Sequence, residues 1–531
     1  MEKLRIYSNS LSVTFDSWVI SFWGIVLLRM FFEQFSSIKP GEFSLIEMPA
    51  IIHAVVFYLA TILILMTILM FFGKTNLKEV STVCLFGFFV ICLGPIIDLA
   101  VGGVGGHLVS YLFLPMQELW LRFITFFGGH ITSGITLGIQ VETIFGMIFC
   151  YLYVNSATKN KIRAVGAAIL FYCFIFLMVS VPSVISFFLP AGDTPVIALV
   201  KSIFGSHVIQ NNLHPDFTAM NEGLLNLAFD KLMIGINTIF ALLASLFLFF
   251  LGTRKKFIAI IKNSRPERIF HFLLLFVFGS ALASSPFFVN WIDVVSYALA
   301  FIAFVAVWMF SVCQNDIYDE EIDRVANPNR PLATRDLSKN DLEIASKIFL
   351  ILGFASAYAA GHYILFFVSF FLLVYYIFSN PPLRLKRFVG LNSFLVSLAC
   401  LAIILAGFFL VSPNKNILAF PFSLVLAIVV FFATVSNIRD IKDVEGDRVG
   451  GIKTLPVLLG IKKSKKLIAG IICFFFLLIP WYFHLPSLFI PSIVATILSW
   501  YFITKEDYKE WPGFVVYMLY LIFLIGAIFL S

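Results

Sequence analysis

A short stretch near the middle of the chain carries the residues best suited to chemistry. Asn315, Asp316, Asp319 and Asp323 follow an apolar run, and on a helix with about 100° per residue the three carboxylates would lie within roughly 60° of one another. Such carboxylates repel one another, and the cost is larger at the end of a membrane helix, where charge is poorly solvated. A divalent cation would compensate, and Mg²⁺ prefers one or two carboxylates together with water and substrate phosphates. The stretch therefore predicts a site for magnesium and phosphate.

The same acidic spacing occurs a second time, more than a hundred residues later. Asp440, Asp443 and Asp447 repeat the pattern D-x-x-D-x-x-x-D, again after an apolar span and before a basic loop. One such triplet alone is most often a solvated helix face. Two copies with one spacing favour a shared site instead, so we expect both triplets to hold one metal-bridged diphosphate.

Cations and amides that could bind the phosphates lie close to the acidic stretches. Asn315 can offer its side-chain carbonyl to a metal or its amide to a phosphate oxygen, and Arg330 lies between prolines that would hold it in place. A Pro-Pro turn then carries three further cations, Arg384, Lys386 and Arg387. This loop is equally typical of an anchor on the cytoplasmic face of a membrane, and both interpretations can hold together.

The composition places the chain in a membrane. It has 531 residues, of which 60% are apolar and only 13% are charged, whereas soluble domains carry about 25% charged residues. The net charge of +7 does not indicate a nucleic-acid partner, because the basic residues cluster in short loops, as they do in the cytoplasmic segments of membrane proteins. The seven cysteines include no C-x-x-C pair, so neither a zinc site nor a disulfide framework is expected.

Apolar runs of about 20 residues divide the chain into two groups of spans. Six are predicted in an N-terminal domain, residues 1–252, at 17–36, 49–72, 80–101, 133–155, 164–190 and 225–251. A basic linker, 253–268, is expected to follow. Nine more spans are predicted in 269–531, at 269–288, 293–312, 343–360, 362–379, 391–412, 417–438, 467–484, 486–503 and 513–530. Ser338 to Asp341 has the pattern of a capping box at the start of the third of these nine.

The distribution of basic residues predicts which loops face the cytoplasm. If the linker is cytoplasmic, every loop on its side of residues 269–531 is rich in Lys and Arg, and both acidic triplets lie on that side. Residues 104–128 are then expected to form an interfacial or re-entrant element on the outer side, and the loop 191–224 is expected outside. Four charged residues fall inside the N-terminal spans, Arg29, Glu33, Asp98 and Glu142. They indicate either a functional site or structural pairs, and no motif assigns a function to the N-terminal half.

The motifs of the C-terminal half resemble those of the UbiA-type membrane prenyltransferases. The two acidic motifs of that family stand here as Asn315-Asp316-Ile-Tyr-Asp319-Glu-Glu-Ile-Asp323 and Asp443-Val-Glu-Gly-Asp447. Arg330-Pro-Leu, the Pro-Pro-x-Arg-x-Lys-Arg turn and Thr454-Leu-Pro456 follow in the family's order, and the resemblance covers about residues 265–531. The family usually has Tyr where Phe378 stands, and Tyr376 lies close by.

The resemblance implies an all-α polytopic protein in which a UbiA-like bundle of nine helices follows about six further helices. It implies Mg²⁺-dependent transfer of an isoprenyl chain from an allylic polyprenyl diphosphate to a lipophilic acceptor in the membrane, such as a quinone or aromatic precursor, a tetrapyrrole or a glycerol-phosphate lipid. Asp319, Asp443 and Lys386 are the expected catalytic residues. The metal-diphosphate ligands would be Asp316, Asp319, Asp323, Asp440, Asp443 and Asp447, and the substrate contacts Asn315, Arg330, Arg384, Lys386, Arg387, Lys453 and Tyr376. A transporter or a polyprenyl-lipid-binding protein that uses the acidic cluster as a cation site is the alternative.

Overall fold

The computed structural model describes residues 1–11, 13–36, 48–101, 109, 111–128, 135–189, 194–209, 222–283, 286–388, 390–441, 444, 448 and 453–531. These residues are built from helices joined by short loops. Thirteen of the described helices are long and apolar enough to cross a membrane, so the prediction of an all-α polytopic membrane protein is confirmed. The chain divides into two compact units, unit 1 with Met1–Ser206 and Phe217–Phe257, and unit 2 with His207–Asp216 and Ile258–Ser531.

Unit 1 contains the six long spans expected of the N-terminal half. One of them is interrupted, because α4 ends at Gly87, a 3₁₀ turn covers Phe88–Cys92, and α5 continues from Leu93. A helix also occupies part of the expected outer loop 191–224, which the sequence analysis missed. The α-helices of this part are α1 Glu2–Ser10, α2 Phe15–Ser36, α3 Met48–Gly73, α4 Leu77–Gly87, α5 Leu93–Val101, α6 Met116–Ile124, α7 Leu137–Thr158, α8 Lys161–Ser186, α9 Pro195–Gly205 and α10 Glu222–Gly252.

Seven of the thirteen helices lie in the described residues of unit 2, and the shorter helices Pro266–Ala281 and Phe422–Val435 occupy the two other apolar runs predicted there. Two of its membrane helices begin with a capping box: Asn290 and Asp293 form one at the start of α13, and the predicted box of Ser338 and Asp341 opens α15. The helices from residue 254 onward are α11 Arg254–Asn263, α12 Pro266–Ala281, α13 Trp291–Tyr318, α14 Glu320–Ala326, α15 Lys339–Ala360, α16 His362–Ser379, α17 Leu391–Val411, α18 Phe422–Val435, α19 Asn437–Asp440, α20 Leu455–Leu459, α21 Ile461–Tyr482, α22 Phe489–Thr504 and α23 Glu510–Leu530.

Helices α12 and α17 touch backbone to backbone. A Cβ atom on Gly279 would lie 1.9 Å from the carbonyl oxygen of Ile404, and one on Gly407 would lie 2.0 Å from that of Phe276. Ser280 adds a hydrogen bond from its hydroxyl to the Gly407 carbonyl at 3.1 Å. Small residues permit such close approach between membrane helices. This contact fixes α12, and through it the segment that precedes α12, against the rest of the bundle.

The segment 253–268, which the sequence analysis treats as a linker, is largely helical. It contains all of α11, and α12 already begins at Pro266. Arg265, between the two helices, has a left-handed backbone with a φ of 55°. The turn brings side chains of this segment to the end of α13, where the first acidic motif lies.

Candidate active site

The first acidic motif lies where α13 ends and α14 begins. The continuous helix expected over Asp316, Asp319 and Asp323 is interrupted, since α13 stops at Tyr318 and Asp319 has φ −102° and ψ 11°. Helical hydrogen bonding nevertheless runs across the break, from the Asp319 N–H to Asn315 O at 2.9 Å and from the Asp323 N–H to Asp319 O at 2.8 Å. The three carboxylates therefore stay close together, and they are only 2%, 7% and 6% exposed.

Asp316 has hydrogen-bond partners both before and after it in the chain. Its carboxylate accepts hydrogen bonds from the Asn263 amide at 2.6 Å and from the guanidinium of Arg265 at 3.2 Å. Arg330 donates a third at 2.9 Å. A carboxylate this deeply buried requires such partners, because an isolated charge in a low dielectric is costly. Asn263 and Arg265 are thus part of the site, although the sequence analysis counted them only as linker.

Arg330 joins the first and third carboxylates of the motif. The same Nη1 atom that donates to Asp316 also donates to Asp323, which additionally accepts from the Asn327 amide at 3.2 Å. Burial raises the pKa of Asp323 to about 6, and the opposing attraction of Arg330 reduces that rise. The Arg330 N–H bonds back to Asn327 O at 3.1 Å, so the turn between the prolines holds this arginine over the carboxylates.

Asp319 pairs with the basic loop that follows α16. Both Arg384 and Lys386 donate hydrogen bonds to its carboxylate. Lys386 also lies 3.2 Å from Asn315 Oδ1, which accepts from the Ser379 hydroxyl at 2.9 Å. Burial lowers the pKa of Lys386, and Asp319 opposes that shift. The loop that sequence analysis described both as a membrane anchor and as a phosphate contact therefore lies directly on the acidic motif.

A cavity of about 1210 Å³ in unit 2 opens beside these groups. Its wall includes Asp319 and Asp323 from the first motif and Asp440 from the second. Cations and aromatic rings share the same wall, among them Arg330, Lys386, Trp308, Tyr375, Phe378 and Phe514. Carboxylates of both motif regions thus open onto one space, which has room for a diphosphate and a hydrophobic group.

Some of the candidate residues line the cavity, and others do not. Asn315, Asp319, Asp323, Arg330, Lys386 and Asp440 line the cavity, whereas Asp316 and Arg384 contact lining residues. Arg387 and Lys453 are exposed and are not among the lining residues, and Tyr376 is 40% exposed while its neighbour Tyr375 lines the wall. Asp443 and Asp447 lie outside the described residues.

Two further charged residues on the cavity wall pair with each other across the bundle. Arg268 and Glu510 form an ion pair of 2.9 Å between the start of α12 and the start of α23. From the sequence alone, Arg268 belongs to the linker and no motif includes Glu510. No pattern of spacing could have joined them, because the two residues are 242 positions apart.

The oxygen-rich set of side chains is compatible with magnesium, although it does not form a preformed cage. Among the described residues no three carboxylates, histidines or cysteines lie close enough to enclose a metal ion by themselves. Mg²⁺ usually keeps several waters and binds through one or two carboxylates together with substrate phosphates. Asp319, Asp323 and Asp440 on the cavity wall suit that mode of binding, because all three supply carboxylate oxygens to the same space.

The model of the UbiA prenyltransferase family matches residues 272–524. Naringenin 8-dimethylallyltransferase 2 of Sophora flavescens is 33% identical over 220 residues, which are 38% of this chain and 52% of that protein. Digeranylgeranylglyceryl phosphate synthase of Methanosphaera stadtmanae is 31% identical over 209 residues, which are 37% of this chain and 72% of that protein. The chain spans about half the length of several other curated relatives, 52% and 44% for two plant homogentisate phytyltransferases.

Solved structures are also similar to part of this chain. A UbiA homolog from Archaeoglobus fulgidus bound to GPP and Mg²⁺ is 19% identical, with a TM-score of 0.41, and covers 51% of this chain and 100% of its own.

Proposed function

We propose, since the chain belongs to the UbiA prenyltransferase family, that it transfers an isoprenyl chain from an allylic diphosphate to a lipophilic acceptor within the membrane, with Mg²⁺. The observation that carries the proposal is the shared cavity. Asp319 and Asp440, from the two acidic regions, line one space together with Arg330 and Lys386. A metal-bound diphosphate is the ligand that needs carboxylates and cations on one wall.

The proposed roles follow from the contacts of each residue. Magnesium bound by the carboxylates would neutralise charge on the diphosphate as it leaves. Arg330 and Lys386 now neutralise carboxylates, and both lie on the cavity wall, where they can turn to phosphate oxygens instead. Arg330 suits this task because its planar group binds two oxygens at once. Asp316 acts behind the wall, by holding Arg330 in place.

The aromatic part of the wall suits the other half of the substrate. Loss of diphosphate leaves an allylic cation, which water would destroy. Trp308, Tyr375 and Phe378 line the same cavity, and their rings can exclude water and stabilise positive charge. The wall thus offers charged groups for the leaving group and aromatic rings for the reacting carbon. The names of two relatives refer to an aromatic acceptor and to a glyceryl phosphate lipid, and these support an acceptor of one of these classes for this chain.

The proposed roles of the remaining candidate residues rest on the sequence motifs rather than on contacts in the structure. Asp443 and Asp447 are proposed as metal ligands from their motif. Arg387, Lys453 and Tyr376 are exposed or half-exposed, so any contact with substrate would occur at the rim of the cavity rather than on its wall. We place the cavity on the cytoplasmic side, because its loops carry most of the basic residues of this half and because prenyl diphosphates are made and retained in water.

The test is product formation by the purified full-length protein. Geranylgeranyl diphosphate, Mg²⁺ and either homogentisate or geranylgeranylglyceryl phosphate are incubated with it, and prenylated products are detected by mass spectrometry. We expect one acceptor to be prenylated, and Asp319→Asn to lower the rate by about 100-fold to 1000-fold, the usual effect of removing one group that stabilises developing charge. Glu343→Gln, an exposed carboxylate on α15, is the matched control. Unchanged turnover in Asp319→Asn would contradict the proposal.

A further inference from the structure

Helix α11, Arg254–Asn263, has one side that packs against protein. Its buried residues are Ala259, Ile260 and Asn263. At about 100° per residue these three lie within roughly 100° of one another on the helix. The Asn263 amide donates to the Asp316 carboxylate at 2.6 Å. The buried side of α11 therefore holds the first acidic motif.

The other side of α11 is exposed and combines basic with apolar residues. Its cations are Arg254, Lys255 and Lys262. Ile258 and Ile261 accompany them and are 39% and 52% exposed. On a helix all five residues lie within roughly 120° of one another, so they form one continuous surface, which we call the basic face. Its geometry is that of a single helix and depends on no other element.

The segment around the basic face has an excess of positive charge. From residue 252 to residue 266 the chain has five basic residues and no Asp or Glu. One of the five, Arg265, pairs with Asp316 at 3.2 Å. The segment itself thus offers no acidic group to the three cations of the basic face. A partner suited to this face carries negative charge next to an apolar layer.

The position of α11 in the chain keeps it close to the membrane surface. Helix α10 is long and apolar enough to cross a membrane and ends at Gly252, so only Thr253 separates it from α11. A helix of ten residues is about 15 Å long, so no part of α11 lies far from that surface, whichever way it points. Basic segments of this kind face the cytoplasm, where the lipid leaflet carries negative charge.

We propose that the basic face of α11 binds the anionic headgroup layer of the membrane. Its cations contact lipid phosphates, while Ile258 and Ile261 enter the boundary between headgroups and acyl chains. Each cation near an anionic surface contributes about a fivefold preference. The opposite side of the same helix holds Asp316 through Asn263, so one helix links the lipid layer to the first acidic motif. The proposal concerns lipid binding and does not depend on the reaction proposed above.

The test places an environment-sensitive fluorophore on the basic face. Six of the seven native cysteines are buried, so Cys173→Ala together with Ile261→Cys directs the thiol-reactive dye NBD to position 261. The labelled full-length protein is reconstituted in phosphatidylcholine nanodiscs that contain increasing fractions of phosphatidylglycerol. We expect NBD emission to rise saturably and shift to the blue as that fraction increases. The response should disappear in about 1 M salt, where the Debye length is only about 3 Å.

Emission that does not depend on the phosphatidylglycerol fraction overturns the proposal. A face that serves a protein partner instead would give that result. A response that persists unchanged in high salt also overturns it, because the attraction between exposed cations and headgroups is screened.

The double variant Arg254→Gln with Lys255→Gln tests whether α11 recognises the lipid. Each cation is worth about a fivefold preference, so the phosphatidylglycerol fraction at half-maximal emission should rise about fivefold or more. Lys262 is left unaltered, because it also lines the large cavity. The matched control, Lys462→Gln with Lys463→Gln, removes two exposed lysines at the start of α21 and should leave the titration unchanged. Equal titrations for the double variant and the unaltered protein, or an equal shift in the control, overturn the assignment to α11.

Discussion

Replacing Asp319 by Asn tests the charge balance of the candidate active site without any substrate. The change leaves Arg384 and Lys386 without their shared carboxylate. Breaking a buried ion pair usually costs about 3–5 kcal/mol. Here the Arg384 side chain is 17% exposed and Lys386 keeps Asn315 as a partner at 3.2 Å. We therefore expect a loss of about 2 kcal/mol in the free energy of unfolding, below the usual range for a fully buried pair.

A double variant separates the ion pair from other effects of the substitution. In Asp319→Asn with Lys386→Met, both charges are removed together, so the loss should be smaller than the sum of the two single losses by about 1–3 kcal/mol. The measurement is reversible unfolding in detergent with excess chelator, so that bound metal does not contribute. Glu343→Gln serves as the control for loss of a carboxylate. Additive losses, within about 0.5 kcal/mol, would show that the contact does not stabilise the protein.

The pH dependence provides a further check on the same variant. Burial lowers the pKa of Lys386, and Asp319 counteracts this. Between its folded pKa and its usual value, the unfolded state binds the extra proton, so stability rises with pH in that window. Without Asp319 the folded pKa falls further and the window extends to lower pH. The deficit of Asp319→Asn relative to the unaltered protein should therefore shrink as the pH rises toward the usual pKa of a lysine, and a constant deficit would refute the reasoning.

Three more predictions concern the dependence of transfer on metal, the activity of C-terminal fragments and the membrane side on which two loops lie. Excess chelator should abolish prenyl transfer, and Asp443→Asn should reduce it by orders of magnitude without lowering expression; transfer that persists in chelator would exclude the metal. A fragment 258–531 should retain some transferase activity and exceed fragment 269–531, which lacks the amide and guanidinium partners of the first motif; equal activity would show that those partners are dispensable. Cysteines introduced at Asn329 and Lys463 in a cysteine-free background should react with an impermeant thiol reagent only after lysis, and labelling of one of them in intact cells would place the two acidic regions on opposite faces.

Local patterns explain why much of the fold could be predicted. Each of the fifteen apolar runs contains a helix in the described residues, and thirteen helical spans are long and apolar enough to cross a membrane, because a run of apolar residues is a local signal. The capping box at Ser338 is a four-residue signal and is present as predicted. The family resemblance rested on motifs a few residues long, and the family comparison confirms it.

Contacts distant in sequence explain what could not be predicted. The spacing of Arg29 and Glu33 suggested that they pair on one helix, but the closer partner of Arg29 is Glu142, at 2.6 Å against 3.6 Å. Asn263 and Arg265 were assigned to a linker because only the turn between α11 and α12 brings them to the first motif. Spacing along a helix records local neighbours, and it contains no information on partners that another helix supplies.

Protein cations neutralise the first acidic motif. Asp316, Asp319 and Asp323 each have an arginine or lysine partner within the protein itself. Biogenesis and activation can consequently be separate events. The newly made protein can insert and reach its final packing in a compartment short of magnesium or isoprenoid precursors, and it can wait there without exposing unpaired carboxylates to quality-control proteases. Supply of the two small molecules, and not renewed synthesis of the polypeptide, would then set when the lipid product appears.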